Sequence, residues 1–310
     1  MVPTLRSLPD PTALGAHLGD LYGLRFTGCE LLRSLVNDVY VLTTGDARYI
    51  LKLYRYDGRH PDEIRWETGL SAHLQAAGLP VPVILPGPGG DQVGILETPE
   101  GPRPFTLSAF VDGTTPKPPF DDDLYAAFGA QLAAFHDAAD NYTSPYRRRP
   151  ADVAQRLDEP LEQILAVDRA EENLLRALAA AVRNNVTQYS DHDFDRGVCH
   201  GDVSLDNVLL TQQGLVLLDF DLAAVGPRAA DFTGVASTPH WPAFKTGYTS
   251  RRPLKAADEA AIPYLRVVGR IFNLRFHLVD KPTFRGTESR AEGWAAGELD
   301  ALRQDAAAIL

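Results

Sequence analysis

The chain has little cysteine. Cys29 and Cys199 are its only two, in 310 residues. Cysteines so far apart give neither a disulfide framework nor a metal-binding pair, and they fit a reducing cytoplasm. Long apolar runs are also missing. No stretch approaches the ~18 residues of a membrane span. The opening MVPTLRSLPD lacks the apolar core of a signal peptide. The expectation is therefore a cytoplasmic protein with no membrane association. Positive charge is scarce as well, with 30 Lys and Arg against 41 Asp and Glu, a net −11. That balance excludes sequence-independent nucleic-acid binding, which needs basic surface. It serves solubility first and favours cationic ligands second. No GxGxxG loop, internal repeat or long low-complexity tract occurs. What remains is an ordinary globular composition, 45% hydrophobic and 23% charged, long enough for a two-lobed enzyme.

The most informative stretch is Val198–Asp221, VCHGDVSLDNVLLTQQGLVLLDFD. His200-Gly201-Asp202 opens it. Asn207 follows, then a short apolar run, the polar turn Thr211-Gln212-Gln213-Gly214, and a second apolar run ending at Asp219. This pattern predicts a hairpin. A tight hairpin returns its ends to each other and groups Asp202, Asn207 and Asp219. Two carboxylates and a carboxamide supply hard oxygen ligands, suited to Mg²⁺ rather than Zn²⁺. A spare carboxylate can orient a substrate hydroxyl, and phosphoryl transfer needs both functions. Any one of these residues alone would be read as a turn or cap residue; the argument rests on the set.

HGDVSLDN followed by LLDFD resembles the motifs of the aminoglycoside phosphotransferase and choline kinase superfamily, a branch of the protein-kinase-like fold. The similarity is greatest to the homoserine kinase-like and stress-response kinase-like branch. It implies an α+β, two-lobed protein-kinase-like fold, with an antiparallel-sheet N-lobe over residues 1–113 and a mainly helical C-lobe over 114–310. It also implies ATP and Mg²⁺ as cofactors. By the resemblance, Asp202 is the catalytic carboxylate and Asn207 and Asp219 are the metal ligands. His200 would support the loop, Asp221 would either touch a second metal or stay solvated, and Asp231 would brace the catalytic loop.

The residues ahead of the motif suit an ATP lobe. A helix over about Leu14–Leu21 ends at Gly23. Val39–Leu42 and Tyr49–Leu53 read as strands around a Thr44-Gly45-Asp46 turn. Lys52 alternates with apolar neighbours, so it takes one face of its strand. A helix from about Pro61 to Ala77 presents Glu67 beside Leu70 and Leu74, with Glu63 a rival one turn earlier. A strand lysine followed by a helix glutamate is the kinase order, which makes Lys52 the α- and β-phosphate contact and Glu67 its partner. Ser34 and Asn37, in the turn Ser34–Asp38, are the candidate phosphate contacts in place of a glycine loop. Gln92–Thr98 and Phe105–Val111 read as a hairpin around Pro99–Pro102. The segment after it, with Phe110 and Val111, would meet adenine or be a plain linker.

Asp122–Ala139 is an amphipathic helix in which His136 packs or caps rather than reacts. Leu157–Val186 reads as one long helical region. Arg147–Arg149 is a basic loop, and Asp191–Asp195 an acidic cluster with one histidine. Asp231 falls at a helix start, where a carboxylate caps. A helix within Leu265–Leu278 bears Arg270, Asn273, Arg275 and His277, Trp294 belongs to the final helical region, and by the resemblance this part would line the acceptor pocket. The function expected is ATP- and Mg²⁺-dependent phosphorylation of a small hydroxyl compound: an amino alcohol, an amino acid or an aminoglycoside-like molecule. The acidic balance favours an amine on it, while Arg270 and Arg275 leave room for a carboxylate. The alternatives are a protein Ser/Thr kinase of the stress-response type, a non-catalytic nucleotide-binding protein and an ATP-independent binding module. The twelve-residue spacing of Asp219 and Asp231 leaves little room for the activation segment a protein kinase would need.

Overall fold

The structure, a computed structural model, describes residues 2–186 and 193–310. The chain divides into two compact units. The first comprises the chain through Thr114 together with Tyr142–Arg148, and the second Thr115–Asn141 and the chain from Arg149 on.

The first unit is built on five antiparallel strands: β1 (Gly28–Ser34), β2 (Asp38–Thr43), β3 (Arg48–Leu53), β4 (Gly94–Thr98) and β5 (Gly101–Ala109). Their order is β1-β2-β3-β5-β4, so β3 is central. Leu51 and Leu53 of β3 bury against Tyr40, Leu42, Phe105 and Leu107 and against Leu14 and Leu18 of helix α1 (Pro11–Tyr22). Alternation sends Lys52 and Tyr54 to the opposite face. There Tyr54 packs on Ile64 of helix α2 (Pro61–Ala76). The β4–β5 turn is shorter than its prolines suggest. Pro102 and Pro104 lie inside β5, before Phe105, where pairing with β3 begins, a position that spares the missing N–H groups.

The second unit is mainly helical. Helix α3 spans Asp122–Ala139, with the Asp121 carboxylate accepting from the Leu124 N–H at its start. The long region expected over Leu157–Val186 is broken into a π-helical turn, α4 (Glu159–Val167) and α5 (Glu172–Val186). At the break, the Asp168 carboxylate takes the Ala170 N–H in a turn that competes with helix. Short strands β6 (Arg196–Cys199), β7 (Val208–Thr211), β8 (Gly214–Leu217) and β9 (Ala224–Pro227) form two antiparallel pairs, β6 with β9 and β7 with β8. Helices α6 (Trp241–Thr249), α7 (Ala256–Arg275), α8 (Lys281–Arg285) and α9 (Trp294–Ile309) complete the unit. Among the described residues no helix is long and apolar enough to cross a membrane.

Candidate active site

In the second unit the predicted hairpin forms as β7 and β8, and its ends do meet. The Leu218 N–H donates to the Asn207 carbonyl at 2.9 Å. Asn207 Nδ2 donates to the carbonyl and to Oδ2 of Asp202, at 3.0 and 2.9 Å. Asp219, which ends the hairpin, has φ 62° and ψ 76°. A non-glycine residue in the left-handed region is sparsely populated and recurs at functional sites.

The loop bearing Asp202 hangs on a buried chain of hydrogen bonds. Asp231 Oδ2 accepts from the His200 N–H at 2.7 Å and Oδ1 from the Gly201 N–H at 2.8 Å. His136 Nε2–H donates to the same carboxylate at 3.0 Å, and the Tyr248 hydroxyl meets His136 Nδ1 at 2.9 Å. Burial alone would raise the Asp231 carboxyl, but the bonds from His136 and Gly201 outweigh it and hold it below the usual range. Burial also lowers His136, which stays neutral with Nδ1 free to accept from Tyr248. Asp231 thus braces a loop rather than capping the helix start expected from its position. His136 is a support, as its place on the apolar stripe of α3 suggested. His200 Nε2–H donates to the Leu218 carbonyl at 3.0 Å, and its Nδ1 accepts the Asp202 N–H at 3.3 Å, which ties the loop to the strand end that carries Asp219. Gly201 has φ 82°, and a Cβ there would lie 2.2 Å from the Leu222 carbonyl; only glycine fits.

Asp202 stays open to solvent, yet the surrounding protein raises its carboxyl. The Asn207 bond opposes that shift, and the Asp219 charge adds to it. Asp202 lies on the wall of a cavity of about 620 Å³, with Ser204, Arg156, Arg270 and Asn273 among its other lining residues. Arg266 and Arg270 donate to Asp305 at 2.9 and 2.8 Å, and Asn273 donates to Glu298 at 2.6 Å. Arg275 is turned away from this cavity, to Gln163 at 3.2 Å and to Asp280. Asp191 and His192 of the acidic cluster lie outside the described residues.

The donor set fits a hard cation. With its nitrogen spent on Asp202, Asn207 keeps Oδ1, and Asp219 brings a carboxylate. Among the described residues no group of three or more His, Cys, Asp and Glu could hold a metal ion. Magnesium needs no such group, because it takes one or two side chains and completes its shell with water and phosphate.

In the first unit Lys52 Nζ lies 3.7 Å from Glu67 Oε1. The buried Tyr54 hydroxyl donates to that same oxygen at 3.0 Å, a member the sequence reading missed although Tyr54 follows Lys52 at strand spacing. Glu63 is occupied elsewhere, in the capping box of α2 with His60. The turn before β2 is braced from within. Ser34 Oγ donates to Asp38 Oδ1 at 2.7 Å, and the fully buried Asp38 also accepts from Arg6 at 2.5 Å and from Arg103 at 2.7 Å. Asn37 Oδ1 accepts from the Arg55 N–H at 3.3 Å. Phe110 gives its N–H to the Arg48 carbonyl at 3.0 Å and its ring to the Arg48 guanidinium, 3.8 Å away. Val111 lies two residues past the end of β5.

An antiparallel-sheet unit with a lysine on its third strand, and a helical unit with an HGDxxxxN loop, are the parts of a protein-kinase-like phosphotransferase. The chain belongs to the phosphotransferase enzyme family, whose model matches residues 28–260. It is 35% identical over 278 residues to an uncharacterized protein of Deinococcus radiodurans, covering 84% of this chain and 80% of that one. It is 30% identical over 267 residues to a homoserine kinase of Rhodospirillum rubrum, covering 78% and 77%. Its fold matches the solved structure of a microcompartment-associated aminopropanol kinase with a TM-score of 0.76 at 25% identity, covering 96% of this chain and 99% of that one. The protein is a small-molecule kinase with a hydroxyl acceptor.

Proposed function

We propose that the protein transfers the γ-phosphoryl group of ATP, with Mg²⁺, to the hydroxyl of a small amino alcohol or hydroxy amino acid in the cytoplasm. The carrying observation is Asp202 on the wall of the cavity, held by Asn207 and set on the braced His200-Gly201 loop. Asp202 accepts a hydrogen bond from the acceptor hydroxyl and takes its proton late, as the bond to phosphorus forms. Asn207 and Asp219 would hold Mg²⁺, which neutralises charge on the nucleotide phosphates when bound. Lys52, paired with Glu67, positions the α- and β-phosphates, while the Ser34–Asp38 turn covers them through its backbone N–H groups. Phe110 and Val111 flank the adenine.

The names of the relatives, homoserine kinase and aminopropanol kinase, favour a compact amine-bearing acceptor over an aminoglycoside. The cavity offers Asp152 and Glu298 to an amine and Arg156 and Arg270 to a carboxylate. The test is a panel of homoserine, aminopropanol, choline, an aminoglycoside and a generic protein, scored by ADP release above the background without acceptor. Stimulation by one of the amino alcohols is expected. Stimulation by the protein alone would overturn the reading.

A further inference from the structure

Segment Tyr142–Arg148 clusters with the first unit, although the chain on both sides of it belongs to the second. Its contacts fall on α2, the helix that carries Glu67. The Tyr142 ring packs edge-on against Trp66, with centroids 5.2 Å apart, and lies 5.4 Å from His73. Its hydroxyl donates to the Trp66 carbonyl at 2.6 Å, on the peptide joined to Glu67. Arg148 lies over the Trp66 ring at 5.7 Å, and Arg65 over the Tyr146 ring at the same distance. Five side-chain contacts from seven consecutive residues thus surround one stretch of α2.

Gly69 makes this seat possible. Glycine is among the poorest helix formers, yet it stands in the middle of α2. A Cβ there would lie 2.8 Å from the Tyr142 hydroxyl oxygen, closer than real Cβ contacts come, and 3.8 Å from the nearest ring carbon. The notch is therefore shaped for one atom, the hydroxyl.

We propose that Tyr142, seated in the Gly69 notch, is a positioning residue for the Lys52–Glu67 pair. The segment acts as a latch that fixes the height and rotation of α2, and so where Glu67 meets the lysine. This rests on the reading of Lys52 and Glu67 as the nucleotide-phosphate pair. The notch supplies an unusual test. Gly69→Ala places a methyl against the tyrosine hydroxyl, so the hydroxyl must shift off its seat. Tyr142→Phe loses the hydrogen bond but keeps the ring. In the double variant the missing hydroxyl makes room for the methyl, so the second change should repair the first.

The experiment is calorimetric titration of wild type, G69A, Y142F, G69A/Y142F and K52A with MgATP, on protein shown by thermal melting to be folded at the working temperature. G69A is expected to weaken binding about tenfold and Y142F about threefold, with the double variant returning to the Y142F value, a non-additivity expected of groups in contact. Binding by G69A and Y142F equal to wild type, with only the melting point lowered, would make the contact purely structural and overturn the proposal. So would a double variant weakened by the product of the two single effects. If K52A binds MgATP as wild type does, the nucleotide reading itself falls and takes the latch with it. The K52A result separates that failure from failure of the latch alone.

Discussion

The two clusters of candidate residues are held by opposite means. Asp202 sits on a loop whose polar supports are deeply buried: Asp231 is 3% exposed, His200 1% and His136 0%. Asp231 bonds to the backbone of the loop itself, and His136 bonds to Asp231. Lys52 and Glu67 come from separate elements and meet at 3.7 Å, with Tyr54 alongside. The loop is preorganised by its own hydrogen bonds; the pair depends on how a helix docks onto a sheet. Electrostatic preorganisation matters most where charge develops at the reacting atoms. Damage to the loop supports should therefore injure fold and chemistry together, while damage to the pair should injure nucleotide binding more than the fold.

Asp231→Ala is the most severe way to break this contrast. It leaves His136 Nε2–H and two loop N–H groups facing an empty site, and losing one member of such a buried group costs ~3–5 kcal/mol. Urea unfolding should show the fall in midpoint, and activity should vanish with it; an unchanged midpoint would mean that the network supports nothing. Lys52→Ala should lower the midpoint less than Asp231→Ala does, because Tyr54 still donates to Glu67. The substitution removes a charge-assisted contact of ~1.5–3 kcal/mol, so MgATP affinity should fall roughly 10- to 100-fold. Tyr54→Phe removes one hydrogen bond to Glu67 and leaves Lys52 in place, so an affinity loss smaller than that of Lys52→Ala, less than about tenfold, is expected.

The polar bracing was less legible in the sequence than the chemistry. Asp202, Asn207 and Asp219 could be found because one short hairpin carries all three. Lys52 and Glu67 could be paired because strand alternation and helical periodicity each leave one face. His136 lies 95 residues from Asp231 and 112 from Tyr248, and nothing in local pattern announces a hydrogen bond over such a separation. Arg6 and Arg103 converge on Asp38 from 32 and 65 residues away. The break between α4 and α5 was hidden because Asp168 interrupts a stretch otherwise rich in Leu and Ala. Burial and long-range partners are tertiary facts, and periodicity reports only the local part.

The smallest effect expected concerns Asp258, which accepts the Asp195 N–H at 3.1 Å on one oxygen and 3.2 Å on the other. Burial, with the neighbouring Asp195 charge, pushes its carboxyl up to about 6. Its folded value lies above the unfolded one, so the native state binds the proton more tightly. Ionised Asp258 therefore costs stability above about pH 6, and the cost disappears as pH falls toward the ordinary value near 3.8. Asp258→Asn should be more stable than wild type at pH 8, with the gap closing below about pH 5. A constant gap across that range would contradict the assignment. The residue supports the start of β6, so activity should follow stability and nothing more.

The central claim is that Asp202 acts on the acceptor and not on the nucleotide. Asp202→Ala should be measured twice on the same preparation: turnover with the best acceptor from the panel, and MgATP affinity by titration. Turnover at least ~10²-fold lower, with MgATP affinity retained, is the predicted result. Turnover equal to wild type would contradict it.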